Sequence, residues 1–452
     1  MRRTLFVKDK SFYGMIINIA IPVVLQSLIT IGVNMVDTMM LGAFGEYQLS
    51  GSALANEFIT IFQIMCLGMG FGAAVLTAKY YGAKELDRFK KIVTIVFRLC
   101  FCVALVFSLV SLWIPGFIMG IFTGDRLIID YGIKYFKVSA YTYLPMALSL
   151  ITTAILRSSG EVRWPLITSA FIFFVNIFCN WVFIFGHLGA PRLEITGAAL
   201  GTLIARIVEA AMILGFFLWK EKNIGYRIGD LFISCKSEAR NYLVFCVPVI
   251  ISDTLLGLGN SMVSVIIGHL GASFVAANAI VSQVMRMSTI LTQGVSNSSS
   301  VITGQTLGRK EYDKAYDQGI TFWILSILLG LLAGGIILGI CPFILKQFAI
   351  EEATVKISKQ LMLAVAIMVV FQSMQSVLTK GVLRGGGDTK FLMVADILFL
   401  WLLSIPLGYA AGFVWELSAF WIYVALKADW IVKSLWCSGR LIKGEWVKKF
   451  SA

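Results

Sequence analysis

The sequence predicts an all-α membrane protein of about twelve transmembrane helices in two six-helix lobes, related by a pseudo-twofold axis along the membrane normal, and three observations carry that prediction. The first is composition: 58% of the 452 residues are hydrophobic and 14% are charged, whereas a soluble domain carries about a quarter charged residues. The second is spacing, because apolar blocks of roughly 20 to 28 residues alternate with short polar stretches, and about 20 helical residues cross a ~30 Å hydrocarbon core. The third is an internal repeat at an offset of 226 residues.

Blocks bounded by Gly, Pro and charge place the spans near 14–40, 53–77, 92–116, 133–156, 164–186, 195–219, 241–267, 276–303, 319–345, 359–382, 391–413 and 417–437. The first block outlasts a signal-peptide core and ends in Asn34 and Asp37, with no small-residue cleavage pattern. The longest polar interval, Trp219 to Asn241, is only loop-sized, so the chemistry is expected within the membrane.

Lys and Arg set the orientation. With a cytoplasmic N-terminus, the inner segments hold Arg2, Arg3, Lys84, Arg88, Lys90, Arg157, Arg163, the 219–240 loop, Arg309, Lys310, Lys380, Arg384, Lys433, Arg440 and Lys449, among others. The outer segments hold only Arg126, Lys134, Lys137, Arg192, Lys346, Lys356 and Lys359. Both termini are therefore expected in the cytoplasm, on a multi-pass protein of the cell membrane. The net charge of +13 reflects topology and anionic lipid headgroups, not nucleic acid.

The eight cysteines have no CxxC pairing and no histidine at ligand spacing, which favours buried thiols over a metal site or disulfides. His187 and His269 fall at predicted outer ends of spans, where interfacial packing is the simpler reading and a proton relay the other.

The repeat aligns Ile21-Pro22-Val23 with Val247-Pro248-Val249 and Asn34 with Asn260. It aligns Gly42, Gly45, Ala53, Gly68 and Gly82 with Gly268, Gly271, Ala279, Gly294 and Gly308, and the charged loop 82–88 with 308–314. After a one-residue slip, Leu156-Arg157-Ser158-Ser159-Gly160-Glu161 meets Leu383-Arg384-Gly385-Gly386-Gly387-Asp388. Six spans separate equivalent points, an even number, so both halves share one orientation in the bilayer. The expected organisation is a lobe over 1–218, a cytoplasmic linker over 219–240 and a lobe over 241–452, with a central substrate cavity and rocking access.

The stretches Ile21–Gln26, Val33–Gly42, Tyr81-Gly82-Ala83-Lys84, Leu156–Gly160, Asn176–Asn180, Gly197–Thr202 and Leu383–Thr389 together resemble the multidrug and toxic compound extrusion (MATE) transporters. The resemblance covers almost the whole chain in order. It implies antiport, with inward H⁺ or Na⁺ flow driving export of amphipathic, often cationic organic compounds. It also implies no cofactor, H⁺ being the preferred coupling ion and Na⁺ the other, and a protein acting as a monomer among membrane lipids.

Ionisable side chains inside spans are costly, so Asp37, Glu209, Asp253 and Asp396 are functional candidates. Asp37 has Asn34 one turn earlier on the same helix face, and the resemblance makes Asp37 the coupling residue. The alternative is an interfacial Asp capping the next turn. The resemblance adds Asn176, Asn180 and Thr202 to the ion site. Asn180 stands where many relatives carry Asp, which removes one charge and disfavours Na⁺.

Asp253, five residues after Pro248, is the candidate for substrate-cation recognition or a second ion site. Arg286 lacks a local partner and is expected to meet Asp253, which would point toward anionic substrates instead. Arg206 and Glu209 are read as a neutralising pair, and Asp396 as either paired with a base or used in transport. Tyr141, Tyr143 and Met146 are candidate cavity walls. Two further readings stand: a lipid-linked precursor or polysaccharide flippase, which would want a cavity rich in Arg and Lys, and a lipid-modifying membrane enzyme, which would want convergent catalytic groups absent from any recognisable motif.

Overall fold

A computed structural model describes residues 6–42, 46–347 and 352–448. Arg2, Arg3, Gly45 and Lys449, used in the patterns above, lie outside the described residues. Every regular element among the described residues is helical. Helices satisfy their backbone polar groups internally, which hydrocarbon demands of any spanning segment.

Helices long and apolar enough to cross a membrane are α1 (Lys10–Leu41), α2 (Tyr47–Gly82), α3 (Leu86–Trp113), α4 (Arg126–Ser159), α5 (Arg163–Phe185), α6 (Glu194–Lys220) and α7 (Lys236–His269). Next come α8 (Ser273–Ser288) and α9 (Ile290–Gly308), which are long and apolar enough only as a pair and are bent by 48° at the break between them. They are followed by α10 (Tyr312–Cys341), α11 (Thr354–Gly385) and α12 (Thr389–Val414). The last expected span, 417–437, is divided at Lys427 into α13 (Ala419–Leu426) and α14 (Ala428–Lys443). Neither half is long enough to cross alone, because Lys427, Asp429 and Lys433 interrupt its apolar run.

Two compact units result: an N-terminal unit of Leu25–Thr77 and Glu85–Val247, and a C-terminal unit of the described residues of Met1–Val24, Ala78–Lys84 and Pro248–Ala452. In the N-terminal unit the linker folds back onto α3. The Tyr226 hydroxyl lies 2.9 Å from that of Thr94, which also donates to the Asp230 carbonyl. Arg98 donates to the carbonyls of Leu231 and Ile233.

The C-terminal unit buries Phe274 and Val281 of α8, Ile337 of α10, Met362 and Val369 of α11, Leu400 of α12 and Tyr423 and Leu426 of α13 in one core. The start of α1 belongs to it, with Phe12 set edge-on against Phe322 at 5.3 Å.

The repeat is visible in the backbone. Pro22 and Pro248 lie inside helices at matched positions, and Lys84 and Lys310 both adopt left-handed backbone, with φ of 60° and 63°. Gly160 and Gly387, matched after the slip, do the same at 92° and 78°. The end of α2 and the end of α9 touch reciprocally within the C-terminal unit. A Cβ on Gly82 would stand 2.1 Å from the Gln305 carbonyl oxygen, and one on Gly308 would stand 2.1 Å from that of Lys79. Since 305 is the repeat partner of 79, this is one contact used twice. In lipid, where apolar burial drives little helix association, such backbone approach permitted by glycine supplies the packing.

Candidate functional site

Within the N-terminal unit, α1, α2, α4, α5 and α6 enclose a cavity of about 400 Å³. Its wall includes Asn34, Asp37, Asn176 and Thr202 of the expected ion site, and Met146 of the expected drug wall. Asn180 completes the group. Its Nδ2 donates to Asp37 Oδ1 at 2.6 Å and to Asn176 Oδ1 at 3.3 Å.

Asn176 and Asn180 are almost wholly buried, one helical turn apart on α5, and so present both amides to the same face of α1. The Asn180 Oδ1 accepts no hydrogen bond among the described residues. It rests against Gly201 of α6, where a Cβ would stand 2.3 Å away. Any residue but glycine there would displace the amide that holds Asp37.

Arg206 and Glu209 also line this cavity, and Arg206 Nη1 donates to Glu209 Oε2 at 2.7 Å. The sequence predicts the pair but not its place beside the Asp37 carboxylate. Arg206 is bonded to Glu209, so the cavity wall carries one net negative charge, and Asp37, whose carboxylate Arg206 also approaches, forms no ion pair of its own among the described residues. Tyr135, Gln63 and Asn56 add to the polar wall, with several Ser and Thr hydroxyls. Gln63 donates to the Met146 sulfur at 3.3 Å, which seats the thioether on the cavity surface.

Two expected wall residues lie elsewhere. Tyr141 is 61% exposed on the unit's surface. Tyr143 is fully buried against Phe62, with ring centroids 4.8 Å apart, and its hydroxyl lies 3.0 Å from that of Ser111. On α4 only the Met146 face turns inward, because Tyr141 sits on the tight turn Ala140–Thr142 that rotates the helix.

In the C-terminal unit the expected meeting of Arg286 with Asp253 does not occur. Arg286 is exposed, and Asp253 is held by Arg384, whose Nη2 and Nη1 approach its two oxygens at 2.8 and 3.2 Å. Arg384 sits on the turn matched to Arg157. Arg157 in turn donates to Gln26 in the N-terminal unit, at the same sequence separation of 131. Asp396 pairs with Lys433 at 2.9 Å, as the base-paired reading requires. Neither Arg384 nor Lys433 is evident as a partner from the sequence, where both read as cytoplasmic loop charges. Asp429, one turn before Lys433, was the available local signal.

Both histidines are exposed at helix ends, where His187 stacks on Trp181 at 4.1 Å and the His269 ring bonds the Val265 carbonyl. No group of His, Cys, Asp or Glu suited to a metal ion occurs among the described residues.

A polytopic helical bundle built from a repeat, with a polar cavity holding a carboxylate at membrane depth, defines a membrane transporter. The chain belongs to the MatE family of multidrug efflux transporters, which matches residues 22–182 and 248–410, two segments that begin at the 226-residue offset of the repeat. It is similar to the "Probable multidrug resistance protein NorM" of Thermotoga maritima, at 26% identity over 96% of this chain and 93% of that one. The multidrug resistance protein PmpM of Pseudomonas aeruginosa is 22% identical over 88% of this chain and 83% of its own. Among solved structures, the Vibrio cholerae MATE transporter VcmN in its bent form matches with a TM-score of 0.86 at 15% identity, over 96% of this chain and 97% of that one. That likeness bears on the fold: twelve helices in two lobes.

Proposed function

We propose that this chain is a proton-driven antiporter that exports amphipathic, cationic organic compounds, with Asp37 carrying the coupling proton. The observation behind this reading is the charge count of the cavity: Arg206 neutralises Glu209, leaving Asp37. A single carboxylate is matched by one proton or one organic cation, so the two compete, which is the thermodynamic requirement of exchange.

Na⁺ is a poorer fit. Hard cations need several converging oxygens, and the Asn180 amide NH₂ occupies the oxygens of Asp37 and Asn176 that would supply them. The unpartnered Asn180 Oδ1 leaves room for the opposite arrangement, in which a protonated Asp37 donates to a flipped amide.

Asn34, Asn176, Asn180 and Thr202 position Asp37, and Met146 and Tyr135 offer a polarizable wall to the drug. A flippase for phosphate-linked lipids is less well supported, because the cavity's Arg206 is already tied to Glu209. Family relatives and solved neighbours are transporters, in keeping with a non-enzymatic role, and the relatives named as multidrug resistance proteins support small-molecule substrates. We place the protein in the cell membrane with both termini in the cytoplasm, on the distribution of Lys and Arg, and propose that it acts as a monomer.

The test is ethidium efflux from proteoliposomes under imposed pH or Na⁺ gradients, for wild type and Asp37→Asn. Wild type responding to pH and the variant to neither supports the reading. Full coupled efflux in Asp37→Asn, or a wild type driven by Na⁺ alone, overturns it.

A further inference from the structure

The charges of the 219–240 linker divide by face. Glu221 accepts the backbone N–H groups of Asn223 and Ile224 at 3.0 and 2.6 Å. Asp230 accepts the Arg227 N–H at 2.9 Å and pairs with Lys90 of α3 at 3.3 Å. Glu238 is buried, 3.5 Å from Arg88. The linker's acids are thus spent on α3 and on the linker's own backbone. Lys222, Arg227, Lys236 and Arg240 are exposed and enter no ion pair among the described residues. Between them, the tight turn Ile228–Phe232 presents two apolar side chains to the outside, Ile228 at 55% exposure and Phe232 at 85%.

The third helix fixes the depth of that turn. Trp113 ends α3, and Thr94 stands ~28 Å before it at 1.5 Å per residue, which matches the ~30 Å thickness of a hydrocarbon core. Trp marks one membrane boundary, so Thr94 stands at the other. The turn hangs from this level. The Tyr226 hydroxyl meets that of Thr94, and Arg98, one turn deeper, donates to the Leu231 and Ile233 carbonyls at 3.1 and 3.0 Å. An arginine inside an apolar run needs such acceptors, and by supplying them the linker backbone is held against the edge of the hydrocarbon.

We propose that the Ile228–Phe232 turn is an in-plane anchor for anionic phospholipid. Phe232 and Ile228 insert beneath the headgroups, and Lys222, Arg227, Lys236 and Arg240 hold the phosphates. The depth of Thr94 and Arg98 and the one-sided charge select lipid over a soluble protein as the occupant. The lipid is a bound partner and not cargo, and the anchor lies outside the Asp37 cavity, so it stands whether or not Asp37 carries the coupling proton.

Hydrogen–deuterium exchange tests it, on full-length protein in nanodiscs of phosphatidylcholine alone or mixed with phosphatidylglycerol. In wild type, phosphatidylglycerol should slow exchange of the amides over 226–234. Each basic side chain near an anionic surface contributes about fivefold, so Arg227→Gln with Lys236→Gln should reduce the lipid-dependent slowing by about 30-fold. Phe232→Ser should speed exchange in both lipids. These positions face outward, and the contacts of Thr94, Arg98 and Tyr226 that dock the linker remain.

The wild-type comparison needs no variant: equal exchange in the two lipids overturns the anchor. So does a phosphatidylglycerol effect that survives Arg227→Gln with Lys236→Gln. Amides that stay fast in every lipid and slow only when soluble cytosolic protein is added point to a protein partner, and overturn it as well.

Discussion

Replacing Asn180 by Asp probes the charge logic of the cavity. The amide nitrogen sits 2.6 Å from Asp37 Oδ1, so the substitution exchanges a hydrogen-bond donor for a second anion at contact distance. Residue 180 is 1% exposed, so water offers little screening. Two unit charges about 3 Å apart repel by roughly 5 to 6 kcal/mol at an effective dielectric of about 20. The pair is therefore held only with a cation between its members, either a shared proton or Na⁺ ligated also by Asn176 and Thr202.

Where bound Na⁺ recovers about a third of that repulsion, ~2 kcal/mol, its affinity rises about 30-fold. The assay is ethidium transport in proteoliposomes with equal pH on both sides and an imposed Na⁺ gradient. Wild type should be indifferent and Asn180→Asp should acquire Na⁺-driven transport. Equal Na⁺ response in both, or none in the variant while it still folds, refutes the argument that the amide excludes Na⁺.

Other outcomes follow from the same contacts. Arg384→Met leaves Asp253 buried without its counter-ion and should lower stability by about 3–5 kcal/mol, whereas Arg384→Met with Asp253→Leu should recover most of it, measured by thermal unfolding in detergent. Gly82→Ala and Gly308→Ala each push a methyl into a carbonyl oxygen at 2.1 Å and should cost about 1–3 kcal/mol; equal stability to wild type would mean the two helices part without penalty. Gly201→Ala should displace Asn180 and reduce coupled efflux while leaving the fold intact by circular dichroism.

In the linker, burial pushes the Tyr226 hydroxyl up to about 12 from its ordinary value near 10. The folded state thus favours the neutral phenol, and its contribution is intact below pH ~10 and lost as pH rises toward 12. Proteolysis within 219–240 should increase over that window, and Tyr226→Phe should flatten the dependence.

The spans were legible because hydrophobic length is a local signal that no tertiary contact needs to supply. The exception is instructive: the stretch 417–437 passes as apolar on average, yet Lys427 divides it and Lys433 turns to the interior instead of the cytoplasm. Asp37, Asn176 and Asn180 were legible as polar groups at helical spacing in apolar surroundings.

The partners of Asp253 and Asp396 were not, because ion pairs across helices depend on packing, and a rule that reads Lys and Arg as cytoplasmic markers hides any that fold inward. A clue was nevertheless present. The repeat aligns Arg157 with Arg384, and each lies 131 residues after the residue it grips, Gln26 and Asp253.

That matched grip shows how duplication and specialisation coexist in this chain. The arginine of each LRxxG turn reaches back to the first helix of its own repeat, just after the matched proline, so the scaffold contact is kept. What it grips has changed from an amide to a carboxylate. In the N-terminal unit the arginine bonds neutral Gln26, and the carboxylate at membrane depth, Asp37, is left to a partner from the cavity. In the C-terminal unit the carboxylate occupies the gripped position itself and is neutralised there. A cationic drug of the kind proposed above would therefore meet one unspent negative charge in the N-terminal unit and none at Asp253. It follows that substituting Asp253 should act on stability before it acts on drug recognition, and substituting Asp37 the reverse.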